Sequence, residues 1–200
     1  MEDQTFYTES SPPEEIVSSF SSEGVVFLKD IIPLSDIEIF YRFAEAHFER
    51  SKDARDHFVC VMRSFGRYEL TLLDSRNNDI PDISRIVNKL EPFIPKLLGG
   101  NYKSMLPLKL SSLSIQVTTP GSPEELSMHA DGGHASLQQH LPAYATNVVI
   151  PLHDEDIGST EFRPESHFAM TLAAKCRGEL RVPISPPLRK GSIICFDYRM

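Results

Sequence analysis

Near Gly100 the spacing of apolar residues changes from a helical period to a strand period, and this change restricts the chain to a few architectures. Before it, "PLSDIEIFYRFAEAHFER" places Ile37, Phe40, Tyr41, Ala44 and Phe48 on one helical face. Ser35 and Glu38 have the spacing of a capping box, and Leu34 and Ile39 that of a hydrophobic staple. A second helix is predicted in "DISRIVNKLEPFIPKLLGG", with Ile83, Ile86, Val87, Leu90, Ile94, Leu97 and Leu98 in phase. Pro92 and Pro95 should divide it, and Gly99-Gly100 should end it. After Gly100 come short β-rich runs between turn residues: "SSLSIQVTT", "PGSPEE", "TNVVIPL", "GELRVPISP" and "GSIICFDYRM". One earlier strand, "GVVFLKDII", precedes the first helix. The expectation is an α+β fold in which a helical front half leads into an antiparallel sandwich or barrel.

A chain of 200 residues with 40% apolar content can bury one substantial core. Residues 1–22 are rich in Ser, Glu and Pro and read as a flexible arm, leaving 23–200 as the folded domain. The net charge is −8, no Lys/Arg run exceeds two residues, and aromatics are not interleaved with basic residues, which argues against nucleic acid as a partner. The start, "MEDQTFYTESSPPEEIVSS", is acidic where a signal peptide is basic and then apolar, and no apolar run reaches membrane-spanning length. Cys60, Cys176 and Cys195 are odd in number and lack C-x-x-C spacing, which suits reduced thiols in a cytoplasmic protein better than a disulfide framework.

The segment "LSMHADGGH", Leu126 to His134, carries the chemistry. In an extended chain His129 and Asp131 project from one face, so an imidazole nitrogen and a carboxylate oxygen can reach one ion while Ala130 points away. That donor pair suits Fe(II), and a third ligand from another strand would complete a facial triad with three positions open. The same short spacing also occurs in surface turns and simple hydrogen-bonded pairs.

Several motifs in order, "IQVTTPGSPEELSMHADGGH", "LPAYATNVVIPLHD", "GSTEFRPESH" and "KGSIICFDYRM", resemble the phytanoyl-CoA dioxygenase-like family of Fe(II)- and 2-oxoglutarate-dependent oxygenases, over Gly24 to Met200. The resemblance implies a double-stranded β-helix, a jelly-roll variant, with the amino-terminal helices packed on one sheet. It implies Fe(II) as metal, 2-oxoglutarate as co-substrate and a small organic substrate that is oxidised at a C–H bond. His129 and Asp131 become two metal ligands. Thr160, whose hydroxyl can donate to a carboxylate, is implied beside the co-substrate. Gln116 and Asn147 are further candidates for that cavity, and His134 for a substrate gate at its rim. His167 in "PESH" is implied to anchor a turn rather than to bind metal. His140 stands as a loop histidine and Cys195 as a small buried residue on a strand.

The pattern departs from the family in three places. Ser159 stands where the family has Pro, and Glu165 where it has Gly, a substitution that penalises positive φ. The family's third ligand is a His two or three residues beyond the equivalent of Met200, with an Arg for 2-oxoglutarate further on. The chain is therefore expected to be truncated before the third metal ligand, with the last core strands missing and activity weak or lost. A sheet ending on "SIICFDYR" is then expected to expose an apolar edge through which copies self-associate. The alternative is a non-catalytic remnant, or a cupin-like binding domain, that uses the old cavity.

Overall fold

Two runs, Val25–Leu28 and Ile193–Asp197, are apolar at nearly every position, which in a strand means burial on both faces. The computed structural model describes residues 5–51, 59–60, 67–72, 81–98, 110–119, 128–132, 145–154, 160–168 and 181–200. In it these runs, β2 and β7, are the central pair of a four-stranded sheet. The sheet's order is β1–β2–β7–β6, with β1 at Phe6–Tyr7 and β6 at Thr146–Val149; β1 is parallel to β2, and the other pairings are antiparallel.

Alternation along the strands divides the core. Val26, Leu28, Ile193 and Cys195 face one side, with Ile16 and Phe20 of helix α1 (Pro13–Glu23), Ile31, Ile32, Ile37 and Leu97. Val25, Phe27 and Ile194 face the other, with Phe162, Leu188 and Met200. Aromatic edges fill the second side: Phe27 meets Phe162 with ring centroids 6.0 Å apart, and Phe162 meets Phe196 at 5.1 Å.

The chain separates into two compact units, Met1–Ile37 with Ser84–Leu106 and Met128–Met200, and Glu38–Ile83 with Pro107–Ser127. The second holds an antiparallel sheet of order β3–β4–β5, formed by Val59–Cys60, Arg67–Thr71 and Ser114–Thr118. Leu70 and Ile115 pair directly across β4 and β5 and are buried, and Phe48 sets its ring edge-on to Tyr68 at 5.2 Å. Helix α2, Leu34–Ser51, starts in the first unit and continues in the second. The predicted long second helix is two short ones, α3 (Ser84–Leu90) and α4 (Ile94–Leu97), divided in the segment that holds Pro92, with Pro95 in the first turn of α4. Among the described residues no helix is long and apolar enough to cross a membrane.

Four expectations need correction. The arm read over residues 1–22 carries β1 and α1 from residue 6 onward: Pro13 starts the helix and Ile16 and Phe20, one turn apart, are buried, an apolar pair that Ser- and Glu-rich surroundings concealed. Ser35 lies in the first turn of α2, because the amides of Asp36 and Ile37 bond to the Pro33 carbonyl. Leu34 and Ile39 are correspondingly exposed and form no staple. The expected apolar edge at β7 does not exist, since β2 and β6 cover both its sides. Among the described residues of "GELRVPISP", Ile184 forms a bridge with Phe162, while Gly178 to Leu180, "PGSPEE" and Gly99-Gly100 lie outside the described residues.

Candidate metal centre

The centre is built from the carboxyl-terminal end of β7 outward. Asp197 and Arg199, both buried, form an ion pair in which Arg199 Nε donates to Asp197 Oδ1 at 2.7 Å and Nη2 to Oδ2. The Asp197 carboxylate also accepts the Arg199 amide at 2.9 Å, and its carbonyl accepts the Met200 amide at 2.9 Å, so the chain turns tightly after the strand. A buried carboxylate held by a bidentate guanidinium resists rotation, because breaking the pair leaves an uncompensated charge. This turn presents the Met200 carbonyl to the next segment, where it accepts the Asp131 amide at 3.0 Å.

The Asp131 side chain is held by the neighbouring strand. Asn147 sits on β6 opposite Phe196, and its Nδ2 donates to Asp131 Oδ2 at 2.5 Å. The other carboxylate oxygen, Oδ1, lies 3.3 Å from His129 Nε2. Two donor atoms about 2.1 Å from one ion and at right angles to each other lie about 3 Å apart. The observed separation therefore fits a shared cation with an imidazole and a carboxylate in adjacent positions. The His129 side chain is 56% exposed and that of Asp131 35%, open enough for an ion and a small ligand to approach. Among the described residues no group of three His, Cys, Asp or Glu side chains is placed to hold a metal. What the structure assembles is a pair.

Thr160 is exposed, and its main-chain carbonyl accepts Ser185 Oγ at 3.3 Å. Gln116 is exposed on β5, in the second unit, opposite Glu69. His134 and His140 lie outside the described residues. His167 is buried, its Nε2 donating to the Ser21 carbonyl at 3.2 Å, and its ring packs on Phe168 with centroids 4.0 Å apart. It thus ties the 163–168 turn to the end of α1. Glu165 in that turn does adopt the left-handed conformation, with φ +67°. Its amide donates to the Glu23 carbonyl at 2.8 Å, and Arg181 joins the Glu23 and Glu165 carboxylates at 2.7 and 3.1 Å. The Arg181 guanidinium is pushed further up by its hydrogen bond to Glu23 above all, against the opposing effect of burial. Burial pushes the Cys195 thiol up to about 12, which makes it an inert core residue.

One contributor escaped the sequence: the main-chain oxygen of Met200 leaves no side-chain signal. Asn147, read from the sequence as a candidate for the co-substrate cavity, is found on the Asp131 carboxylate; by strand alternation it faces the same side as Val149, which packs in an apolar core, so a polar residue there calls for a partner.

No family model and no curated protein sequence matches the chain. Solved structures do. AviO1 from Streptomyces viridochromogenes Tue57 superposes with a TM-score of 0.69 at 17% identity, over 94% of this chain and 85% of that one. SnoK, a non-haem α-ketoglutarate-dependent carbocyclase of nogalamycin biosynthesis, gives 0.64 at 18% identity, over 94% of this chain and 76% of that one. The epimerase SnoN, in complex with Fe3+, α-ketoglutarate and nogalamycin RO, gives 0.55 at 14% identity, over 94% and 74%. The chain shares its fold with these proteins, among them non-haem α-ketoglutarate-dependent enzymes.

Proposed function

We propose that the chain is the core of a non-haem Fe(II)- and 2-oxoglutarate-dependent oxygenase akin to the phytanoyl-CoA dioxygenases, acting on a small organic substrate. The observation that carries this reading is the His129–Asp131 pair, with Nε2 and Oδ1 3.3 Å apart. It occurs in a fold that the chain shares with SnoK and with SnoN, whose complex holds Fe3+ and α-ketoglutarate. One imidazole and one carboxylate are two of the three protein donors of a two-His-one-carboxylate iron site. When bound, Fe(II) with 2-oxoglutarate supplies the oxidising chemistry for C–H cleavage. The chain's own part is to hold His129 and Asp131 adjacent and to keep the carboxylate oriented. Thr160 and Gln116 are assigned as contacts to the co-substrate, Thr160 through its hydroxyl, and His134 as a residue of the substrate rim. We read the fold as that of a double-stranded β-helix.

The grouping of only two metal-ligating side chains among the described residues favours a second reading, a cavity that binds ligand without turnover. Metal binding tests the first. Titration of Mn(II) or, without oxygen, Fe(II) should show saturable binding that weakens at least 10- to 100-fold in His129→Ala, the range seen when even the surroundings of a metal site are altered. Binding unaffected by that substitution would remove the metal-centre reading. A form extended past Met200 that binds Fe(II) but makes no succinate from 2-oxoglutarate across a broad substrate panel would leave the second reading in its place.

A further inference from the structure

We infer that Asn147 is a positioning residue for the carboxylate of Asp131, a step that rests on the metal-centre reading for its functional consequence but not for its geometry. Asp131 is held at two points, each belonging to a different strand of the four-stranded sheet. Its amide donates to the Met200 carbonyl that follows β7, at 3.0 Å, and its Oδ2 accepts Asn147 Nδ2 from β6, at 2.5 Å. The two strands are themselves locked in register, Asn147 opposite Phe196 and Thr146 opposite Asp197, and the Tyr198 amide donates to the Ala145 carbonyl at 3.2 Å. With the main chain of Asp131 fixed, the carboxylate retains rotation about its side-chain torsions. Asn147 occupies one oxygen and so leaves Oδ1 as the oxygen presented beside His129.

A carboxylate free to rotate can offer an ion one oxygen, the other or both. A carboxylate with Oδ2 engaged offers one. Asn147 therefore favours single-oxygen coordination and spares a coordination position, which an iron site needs for a two-point co-substrate and dioxygen. This differs from a direct contact between Asn147 and 2-oxoglutarate, and the two roles separate experimentally.

Asn147→Leu keeps the volume and removes the donor, while Asn147→Ser restores a shorter donor. The expected result is a 10- to 100-fold rise in the Mn(II) dissociation constant for Asn147→Leu, with partial recovery in Asn147→Ser. The visible spectrum of the Co(II)-loaded protein should change between wild type and Asn147→Leu as the carboxylate alters its coordination. The affinity of the Mn(II)-saturated protein for 2-oxoglutarate should stay within twofold. Metal affinity that falls in His129→Ala but is unchanged in Asn147→Leu, or a loss confined to 2-oxoglutarate, would overturn the assignment. A readout free of metal keeps this separate from the metal-centre reading. In the metal-free protein the Asn147 side-chain amide should give a downfield, exchange-protected 15N–1H resonance that returns to the ordinary position in Asp131→Leu. An unshifted resonance in wild type overturns the inference whatever the titrations give, whereas metal binding indifferent to His129→Ala beside a shifted resonance sinks only the metal-centre reading.

Discussion

The two sheets differ in how much of each strand they hide. In the four-stranded sheet, β2 is buried at all four positions and β7 at four of its five, with separate apolar clusters on the two faces. In the three-stranded sheet, β5 alternates, with Ile115 buried between Ser114 and the exposed Gln116. The strand buried on both faces is the rigid one, because every side chain along it is packed and none can yield without opening a cavity. Asp131 is attached to this sheet, through Met200 after β7 and Asn147 on β6. For the proposed metal site the 3.3 Å separation of His129 and Asp131 has to be held to within about 0.5 Å, and the double-faced sheet supplies that support.

The largest effect should come from truncating the same kind of side chain in each sheet. Leu28, with no exposed surface, packs against α1 and Ile193, and Leu28→Ala should cost about 2–5 kcal/mol. Val117 on β5 is half-buried, and Val117→Ala should cost about 1 kcal/mol. Urea unfolding followed for both variants checks the difference, and equal losses would break the contrast between the sheets. If the two compact units melt separately, Leu28→Ala should move one transition and Val117→Ala the other.

Next in size is Gly24, which joins α1 to β2. Its φ of +80° suits glycine, and a Cβ there would lie 2.4 Å from His167 Nδ1. Gly24→Ala should destabilise by about 2–3 kcal/mol, from backbone strain together with displacement of the buried ring. The His167 ring should then leave its place against Phe168, which its NMR shifts would report. A loss below about 0.5 kcal/mol, the usual range of an ordinary surface change, would mean that the α1–β2 corner is softer than the strands it feeds.

Much of this fold could be read from the chain. β2, β5, β6 and β7 lie within the predicted runs, because continuous or alternating apolar patterns encode which faces are buried. α1 was lost to composition: two apolar residues one turn apart carry its burial, and Ser and Glu around them outweigh that signal in any average. β1, β3 and the pairing order depend on contacts distant in sequence, and pattern does not report those. The same division holds at the centre. That His129 and Asp131 lie side by side could be read, because residues two apart in an extended chain share a face. That Asn147 would reach the carboxylate, or that a main-chain carbonyl would hold it, depends on which strand lies beside which.

The smallest effect lies on the surface of the first unit, where Arg181 joins Glu23 and Glu165. All three side chains are at least a third exposed, so Arg181→Ala should cost at most about 1 kcal/mol and progressively less as salt is added. Glu165 makes the more discriminating test, because its φ of +67° is unfavourable while its carboxylate is attracted to Arg181. Glu165→Gly relieves the backbone and loses the ion pair, two changes of about 1 kcal/mol or less that should nearly cancel. In an Arg181→Ala background the pair with Arg181 is already gone, and the same substitution should stabilise by a few tenths to about 1 kcal/mol. A double-mutant cycle on thermal unfolding measures the difference. A coupling above about 2 kcal/mol would mean that this surface network stabilises the first unit on the scale of a buried contact, so that a higher stability of that unit could no longer be credited to the two packed faces of β2 and β7 alone.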